Sequence, residues 1–486
     1  MENLYDVAVI GAGFGGLGAA LSLAEAGAKV VLLERLRYPG GCASTFTRGG
    51  VEYESGATLF SGFGEHQLFR HWIDKHGLDV HIDVPDPMVE LRTPGFRLPI
   101  SPVRERLVDA LVALSPPDET ALRRFFRYQR SIADSLWELF DRPELLPPFG
   151  LSSFGVHLGR VHRYAPLLQI VGRPLATAVR RFGLAECAPL RTFLDAVCQI
   201  TVQAPAGEAE APFALAAVDY FHRGTGHVRG GIGQLASALV RAIQTLGGEV
   251  RMPDEVKAIE PSEGGYRLHT RKGELAARAV VANLLPASLN QMLGGTNRSL
   301  DTLSKDVRKG WGACMLYRTV PVDAVRRKDA HHLELVGDAA APFIEGNHVF
   351  CSISGADETH RAGESLRTVT VSTHIRMPNG SAPGEETVTA TQATMRNTIR
   401  SLAPELDSFE REMSASPRTF ERFTGRPHGF VGGIPKTAGL QNYRDIGLRN
   451  VAPRLFLVGD STFPGQSTLA TAVGGVKVAA HLAKIL

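Results

Sequence analysis

A doubly wound α/β fold is what this chain predicts, on three observations spread along its length. Near the start, Val7-Ala8-Val9-Ile10 is a short apolar run leading into Gly11-Ala12-Gly13-Phe14-Gly15-Gly16, a small-residue helix and a second apolar run, Val30-Val31-Leu32-Leu33. At the far end, Leu455-Phe456-Leu457-Val458 runs into Gly459-Asp460 and a small-residue helix from about Leu469 to Leu486. In between, residues 228–259 read as glycine turn, helix, glycine turn, strand and strand. Short, wholly apolar strands alternating with helices are the pattern of a parallel sheet covered on both faces.

Bulk properties narrow the function. With 44% hydrophobic and 21% charged residues the chain resembles folded globular proteins. Its 53 basic residues nearly balance 50 acidic ones, so no global field recruits nucleic acid, and no nucleic-acid partner is expected. Five cysteines without a CxxC pair suit a reducing compartment. Residues 1–6 carry acid where an export signal needs cations. No uninterrupted apolar run reaches the roughly 18 residues of a spanning helix. The expectation is a cytoplasmic protein, peripheral at the inner face of the membrane. His66, His71, His76 and His81 recur every fifth residue, which on a helix turns each about 140° from the last, so no metal site is expected. GxSxG and HExxH are absent, leaving hydrolytic and zinc chemistry unsupported.

The first unit carries its own chemistry. In a GxGxxG turn the first glycine (Gly11) makes the bend, the second (Gly13) lets backbone approach a pyrophosphate, and the third (Gly16) lets the helix pack on the strand. Phe14 and Gly15 open the helix, whose positive end faces the phosphates. Glu34 closes the second strand 21 residues after Gly13, where a carboxylate accepts from adenosine ribose hydroxyls and disfavours a 2′-phosphate. A dinucleotide is the expected ligand.

Gly40-Gly41-Cys42-Ala43-Ser44-Thr45 follows closely, then the hairpin-like stretch 48–56. Here the sequence resembles flavoproteins of the amine oxidase and carotenoid desaturase superfamily, in which paired glycines pass against the FAD diphosphate. The family often has Arg where this chain has Cys42, so the resemblance leaves Arg35 or Arg48 to supply that charge; the thiol itself reads as a small unreactive side chain. Asp460 matches the family's ligand of the ribityl hydroxyls, and the helix start after Pro464-Gly465 would point its positive end at the flavin. Val256 matches the backbone position that meets the adenine, and Ala279–Asn283 the returning strand beneath it. The resemblance further implies Thr58, Leu59, Gly459, Gln466, Ser467 and Thr468 as cofactor contacts. Three separated segments in the right order favour FAD over NAD. Gly474 and Gly475 inside the last helix each cost about 1 kcal/mol of helix propensity unless close packing or the cofactor needs them.

The domain expectation is a discontinuous Rossmann-like FAD domain (1–95, 221–290 and 446–486) with an inserted α+β substrate domain (96–220 and 291–445). Residues 368–375 alternate, with Val369, Val371, Thr373 and Ile375 on one face; 315–320 and 348–353 are further strands, giving a mixed sheet. Residues 145–185 hold no acid but include Arg160, Arg163, Arg173, Arg180 and Arg181 among apolar residues. This segment reads either as a membrane-contacting helical part or as a cover over a substrate tunnel.

Phe423–Pro435, ahead of the last cofactor segment, resembles the matching stretch of carotenoid desaturases and isomerases. The whole chain resembles the phytoene desaturase family, which includes carotenoid cis–trans isomerases and retinol saturase. The resemblance implies a lipophilic polyene substrate and a place in carotenoid metabolism. The leading expectation is carotenoid desaturation by hydride transfer to flavin N5, followed by redox-neutral isomerisation with reduced FAD, then saturation. A flavin-binding assembly module is the reading from another class. Amine oxidation lacks a legible aromatic cage, with Trp and Tyr totalling 12. Tyr220, His222 and His227 are the titratable groups nearest in sequence to the flavin segments and the candidate proton acceptors.

Overall fold

The computed structural model describes residues 4–56, 58–147, 149 and 151–486. Among them the larger sheet has eight strands. Its centre is parallel: Leu4–Ile10 lies between Val30–Leu33 and Gly273–Asn283, and Leu455–Val458 continues on the far side of Gly273–Asn283. All four are buried over most of their length, as their unbroken apolar runs require. Glu249–Arg251 extends one edge in parallel, while Val256–Ser262 and Gly265–Thr270 form an antiparallel flap on the other.

Of the helices that cover one face, Phe14–Glu25 and Thr468–Leu482 approach at backbone contact, and Ile232–Thr245 packs beside them. A Cβ at Gly475 would lie 2.1 Å from the Gly15 carbonyl oxygen, and one at Gly18 would lie 2.5 Å from that of Ala472. Close packing therefore accounts for Gly475. Gly474 differs, since a Cβ there would meet its nearest neighbour, the Phe463 carbonyl, at an ordinary 3.4 Å.

The second sheet has seven strands, in the order Arg411–Ala415, Gly312–Pro321, Leu366–Ile375, His348–Ile353, His331–Val336, Val89–Arg92 and Arg97–Ile100. It is mixed, because His331–Val336 pairs in parallel with Val89–Arg92 while its other neighbours run antiparallel. Val369, Val371 and Ile375 face a core shared with Met395 and Ile399 of the helix Glu385–Leu402. The opposite face looks toward a helical cluster that includes Glu119–Asp141, Ala188–Thr201 and Ala211–Val218. Sheet membership shifts two expected boundaries. Val89–Arg92 joins the second sheet although it precedes residue 95, and Leu300 and Leu303, beyond residue 290, pack under the first. Both segments follow the nearest apolar surface rather than the ends of the cofactor motifs.

Within 145–185, residues 148 and 150 lie outside the described residues. Three helices are present, Leu151–Gly159, Val161–Leu168 and Leu175–Arg181. Arg160 and Arg163 are paired with Glu138 at 2.7 and 3.1 Å, so part of the basic character is neutralised by a residue outside the segment. Leu158 and Leu168 stand in solvent at 67% and 81% exposure. No helix of the described residues is long and apolar enough to cross a membrane.

Gly475→Leu is expected to destabilise the protein by about 1–3 kcal/mol through overpacking between the two helices. Gly474→Ala should be neutral or stabilising by up to about 1 kcal/mol, because it adds helix propensity without a clash. Chemical unfolding of both variants separates the two glycines.

Candidate functional site

Parallel pairing brings Ile10, Leu33, Asn283 and Val458 to one edge of the first sheet, so Gly11, Glu34 and Gly459 leave it together. Open α/β sheets bind their ligands outside such carboxyl ends. A cavity of about 780 Å³ opens there and reaches the second sheet.

The glycine turn is shaped around Asn283. Gly11 bends with φ of 92°, a conformation that favours glycine, and a Cβ on it would lie 2.7 Å from the Asn283 carbonyl. A Cβ on Gly13 or Gly15 would meet the Asn283 side-chain amide at 2.6 or 2.7 Å. Gly16 is enclosed, its missing Cβ only 1.9 Å from the Gly11 carbonyl, and does not line the cavity; it performs the helix-packing role of the third motif glycine. No side chain caps the helix at Gly13. Its first N–H groups are therefore left for an anion.

Glu34 is buried, with one oxygen accepting from the Ala12 N–H and the other from the Leu36 N–H, each at 2.8 Å. Burial pushes its carboxyl above the ordinary value, against the pull of those two donors. Gly40 is tied to the glycine turn by its N–H on the Ala12 carbonyl at 2.8 Å. Phe14, Arg35, Gly41, Cys42, Ala43, Thr58, Leu59 and Val256 also line the cavity. Ser44 does not; its hydroxyl bonds Ser55 inside the hairpin at 2.9 Å. Burial holds the Cys42 thiol above its usual range, while the charge of Arg426 pulls the other way.

Asp460 lines the cavity and is paired with Arg426, whose Nη2 lies 2.7 Å from it, which leaves carboxylate lone pairs for hydroxyl donors. Arg48 is exposed on the hairpin strand Thr45–Arg48, away from the cavity, whereas Arg35 lines it, 3.7 Å from Glu255. The cation beside Cys42 is thus Arg426, supplied by a segment nearly four hundred residues later. Gln466, Ser467 and Thr468 line the cavity at the start of the last helix, where Ser467 Oγ accepts the Ala470 N–H.

Of the three proposed proton acceptors, only Tyr220 reaches the cavity. Its hydroxyl donates to the Leu59 carbonyl at 2.5 Å, and burial pushes the phenol up. His222 is turned to the Pro102 carbonyl at 3.2 Å, and burial pushes its ring down. His227 belongs to a separate buried network, 3.2 Å from Glu358. Sequence proximity to the flavin segments misplaced both, because the chain turns at 220–222 and the side chains leave in different directions. Unforeseen lining residues are Arg426, Lys436, His348 and His374. Burial lowers the Lys436 ammonium, with Glu210 opposing. The alternation at 368–375 carried a signal for His374, which sits on the face opposite Val369 and Val371.

A family model described as flavin containing amine oxidoreductase matches residues 14–293, more than half of the chain. The chain belongs to that family. This makes the protein a flavin-dependent oxidoreductase enzyme, and the cradle described above suits a flavin nucleotide. Among curated relatives, the chain is 26% identical to the prolycopene isomerase of Arabidopsis thaliana, over 99% of this chain and 83% of the relative. It is also 26% identical to human all-trans-retinol 13,14-reductase, over 52% of this chain and 42% of the relative. Among solved structures, putrescine oxidase bound to putrescine superposes with TM-score 0.65 at 17% identity, covering 99% of both chains. An oxidoreductase from Methanosarcina mazei gives 0.62 at 18%, covering 97% of this chain and 99% of that one. At such identities the likeness to solved structures is one of fold.

The purified oxidoreductase should be yellow, with its flavin released on denaturation. Gly13→Val forces the Asn283 amide out of the glycine turn and should remove the flavin from a folded protein. Unchanged flavin absorbance per mole of folded variant would refute this placement.

Proposed function

We propose that the enzyme holds FAD and acts on a lipophilic polyene, with redox-neutral cis–trans isomerisation as its reaction. The observation that carries this is one continuous cavity joining a dinucleotide cradle to a chamber walled by Ile200, Val202, Phe213, Ala216, Phe221 and Phe350. Glu34 at the ribose position supports FAD, since a flavin without adenosine has no use for it. When bound, the flavin supplies hydride acceptance and donation at its ring. The protein's share is orientation and exclusion of water. Isomerisation is supported by the match to prolycopene isomerase over 99% of this chain. Isomerisation releases no net proton and so makes no demand on the three expected acceptors, of which two face away while Tyr220 donates to the Leu59 carbonyl.

Desaturation is the second reading, since segment 423–435, whose Thr424, Gly425, Arg426, Pro427, Val431 and Gly432 line the cavity, resembles that of desaturases as well as that of isomerases. Anaerobic incubation with carotenoids, once with oxidised and once with reduced flavin, decides by product mass. Unchanged mass with altered retention is expected. Loss of two hydrogens with bleaching of oxidised flavin would establish desaturation; gain of two with reoxidation of reduced flavin, saturation. No flavin-dependent turnover would favour an assembly module.

For membrane contact we propose the surface carrying Leu158, Val161 and Leu168, flanked by the exposed Arg173, Arg180 and Arg181. Sedimentation with anionic vesicles should fall as salt rises, because surface attraction is screened within about 8 Å at physiological ionic strength. Leu158→Glu with Leu168→Glu should weaken binding at every salt concentration. Equal binding to neutral and anionic vesicles would remove the electrostatic part.

A further inference from the structure

The lysine and arginine side chains that line the cavity have carboxylate partners, with one exception among the described residues. Arg35 lies 3.7 Å from Glu255, which Lys257 also contacts, and Arg426 is 2.7 Å from Asp460. Lys436 lines the cavity too, yet its ammonium has neither an ion pair nor a hydrogen bond among those residues.

Its surroundings fix where that charge stands. The Lys436 N–H donates to the Val202 carbonyl and the Lys436 carbonyl accepts the Glu210 N–H, both at 2.9 Å, so the backbone here is pinned to the chamber wall. Nζ lies 5.4 Å from the centre of the Phe213 ring, and a Cβ on Gly465 would lie 4.0 Å from it. Val202, Phe213 and Gly465 all line the cavity. The half-buried ammonium therefore stands at the wall of the apolar chamber, beside the turn that opens the last helix. A ring face attracts a cation but is a poor substitute for oxygen acceptors. Glu210, the carboxylate whose field opposes the effect of burial on Lys436, does not supply them. It is fully buried and accepts from the Gly172 N–H at 2.8 Å, the Tyr443 hydroxyl at 2.7 Å and the Phe213 N–H at 3.3 Å.

An ammonium with three donors and no acceptor is completed by an anionic oxygen ligand. One cation with an acidic neighbour suits a single negative charge, and not a diphosphate. We propose that Lys436 binds an ionised carboxyl group of the substrate, so that the ligand is a lipophilic polyene acid whose chain lies against the apolar chamber wall. The proposal rests on reading the cavity as the site of a lipophilic substrate. It assigns Lys436 to substrate choice and not to the chemical step. An ester of the same chain keeps the shape and a carbonyl oxygen but leaves the ammonium without a counter-charge.

The test is equilibrium binding to the flavin-loaded enzyme, read by polyene absorbance shift at a pH where the acid is ionised. Three ligands of one chain length are compared: the polyene acid, its methyl ester and the hydrocarbon. The acid is expected to bind about tenfold or more tightly than the ester. Lys436→Met keeps the side-chain length without the charge and should bring acid and ester within about twofold of each other, whereas Lys436→Arg should retain the preference. Ratios inside one variant do not depend on how much of it is correctly folded, and the wild-type comparison needs no variant. Equal wild-type affinities for acid and ester overturn this proposal while leaving the proposed function standing. If Lys436→Met then also lowers the flavin potential, the ammonium serves the reduced flavin instead. An acid preference that survives Lys436→Met overturns the proposal as well. Failure of all three ligands to bind overturns both readings.

Discussion

The Asn283 side chain occupies the volume that any residue larger than glycine would need at Gly13, Gly15 or Gly459. That contact ties the returning strand to the glycine turn and to the last strand, three segments far apart in sequence. With the amide in place, the helix start is held without a cap and its N–H groups remain exposed to the cavity. Two of the covering helices reinforce the arrangement, since Gly18 and Gly475 let them touch at backbone level. Interiors packed this closely leave little room for adjustment, so a larger side chain at Gly13, Gly15 or Gly459 displaces the Asn283 amide.

A second constraint holds the two sheets in register. Glu54 of the hairpin accepts the Ile232 N–H at 3.1 Å and lies 3.5 Å from Arg361, which in turn lies 3.9 Å from Glu358. Glu358 closes the circuit by accepting the Gly230 N–H at 2.6 Å. All three charged side chains are buried, and desolvation pushes the Glu54 carboxyl up to about 7. Charges taken out of water at such cost are kept only when every partner stays in position. The cluster therefore orients the wall bearing His348 and His374 relative to the glycine turn, and with it the substrate chamber relative to the flavin cradle. His227 belongs to this framework, which is why it lies outside the cavity despite its place in the sequence.

What the sequence alone determined is whatever depends on neighbours along the chain. The parallel strands, the GxGxxG turn, Glu34 at the end of the second strand and the alternation at 368–375 are all written in short-range spacing, because sheet and helix periods are local properties. The flavin class came with the resemblance to known flavoproteins, which is carried by short backbone motifs that tolerate few residue types. Only tertiary structure could decide that Arg426 stands beside Cys42, that Asp460 is already paired, and that His222 and His227 turn away while His348 and His374 turn in. Those are meetings between residues tens to hundreds of positions apart, settled by which apolar faces pack and by where buried charges find partners. No local period encodes such meetings.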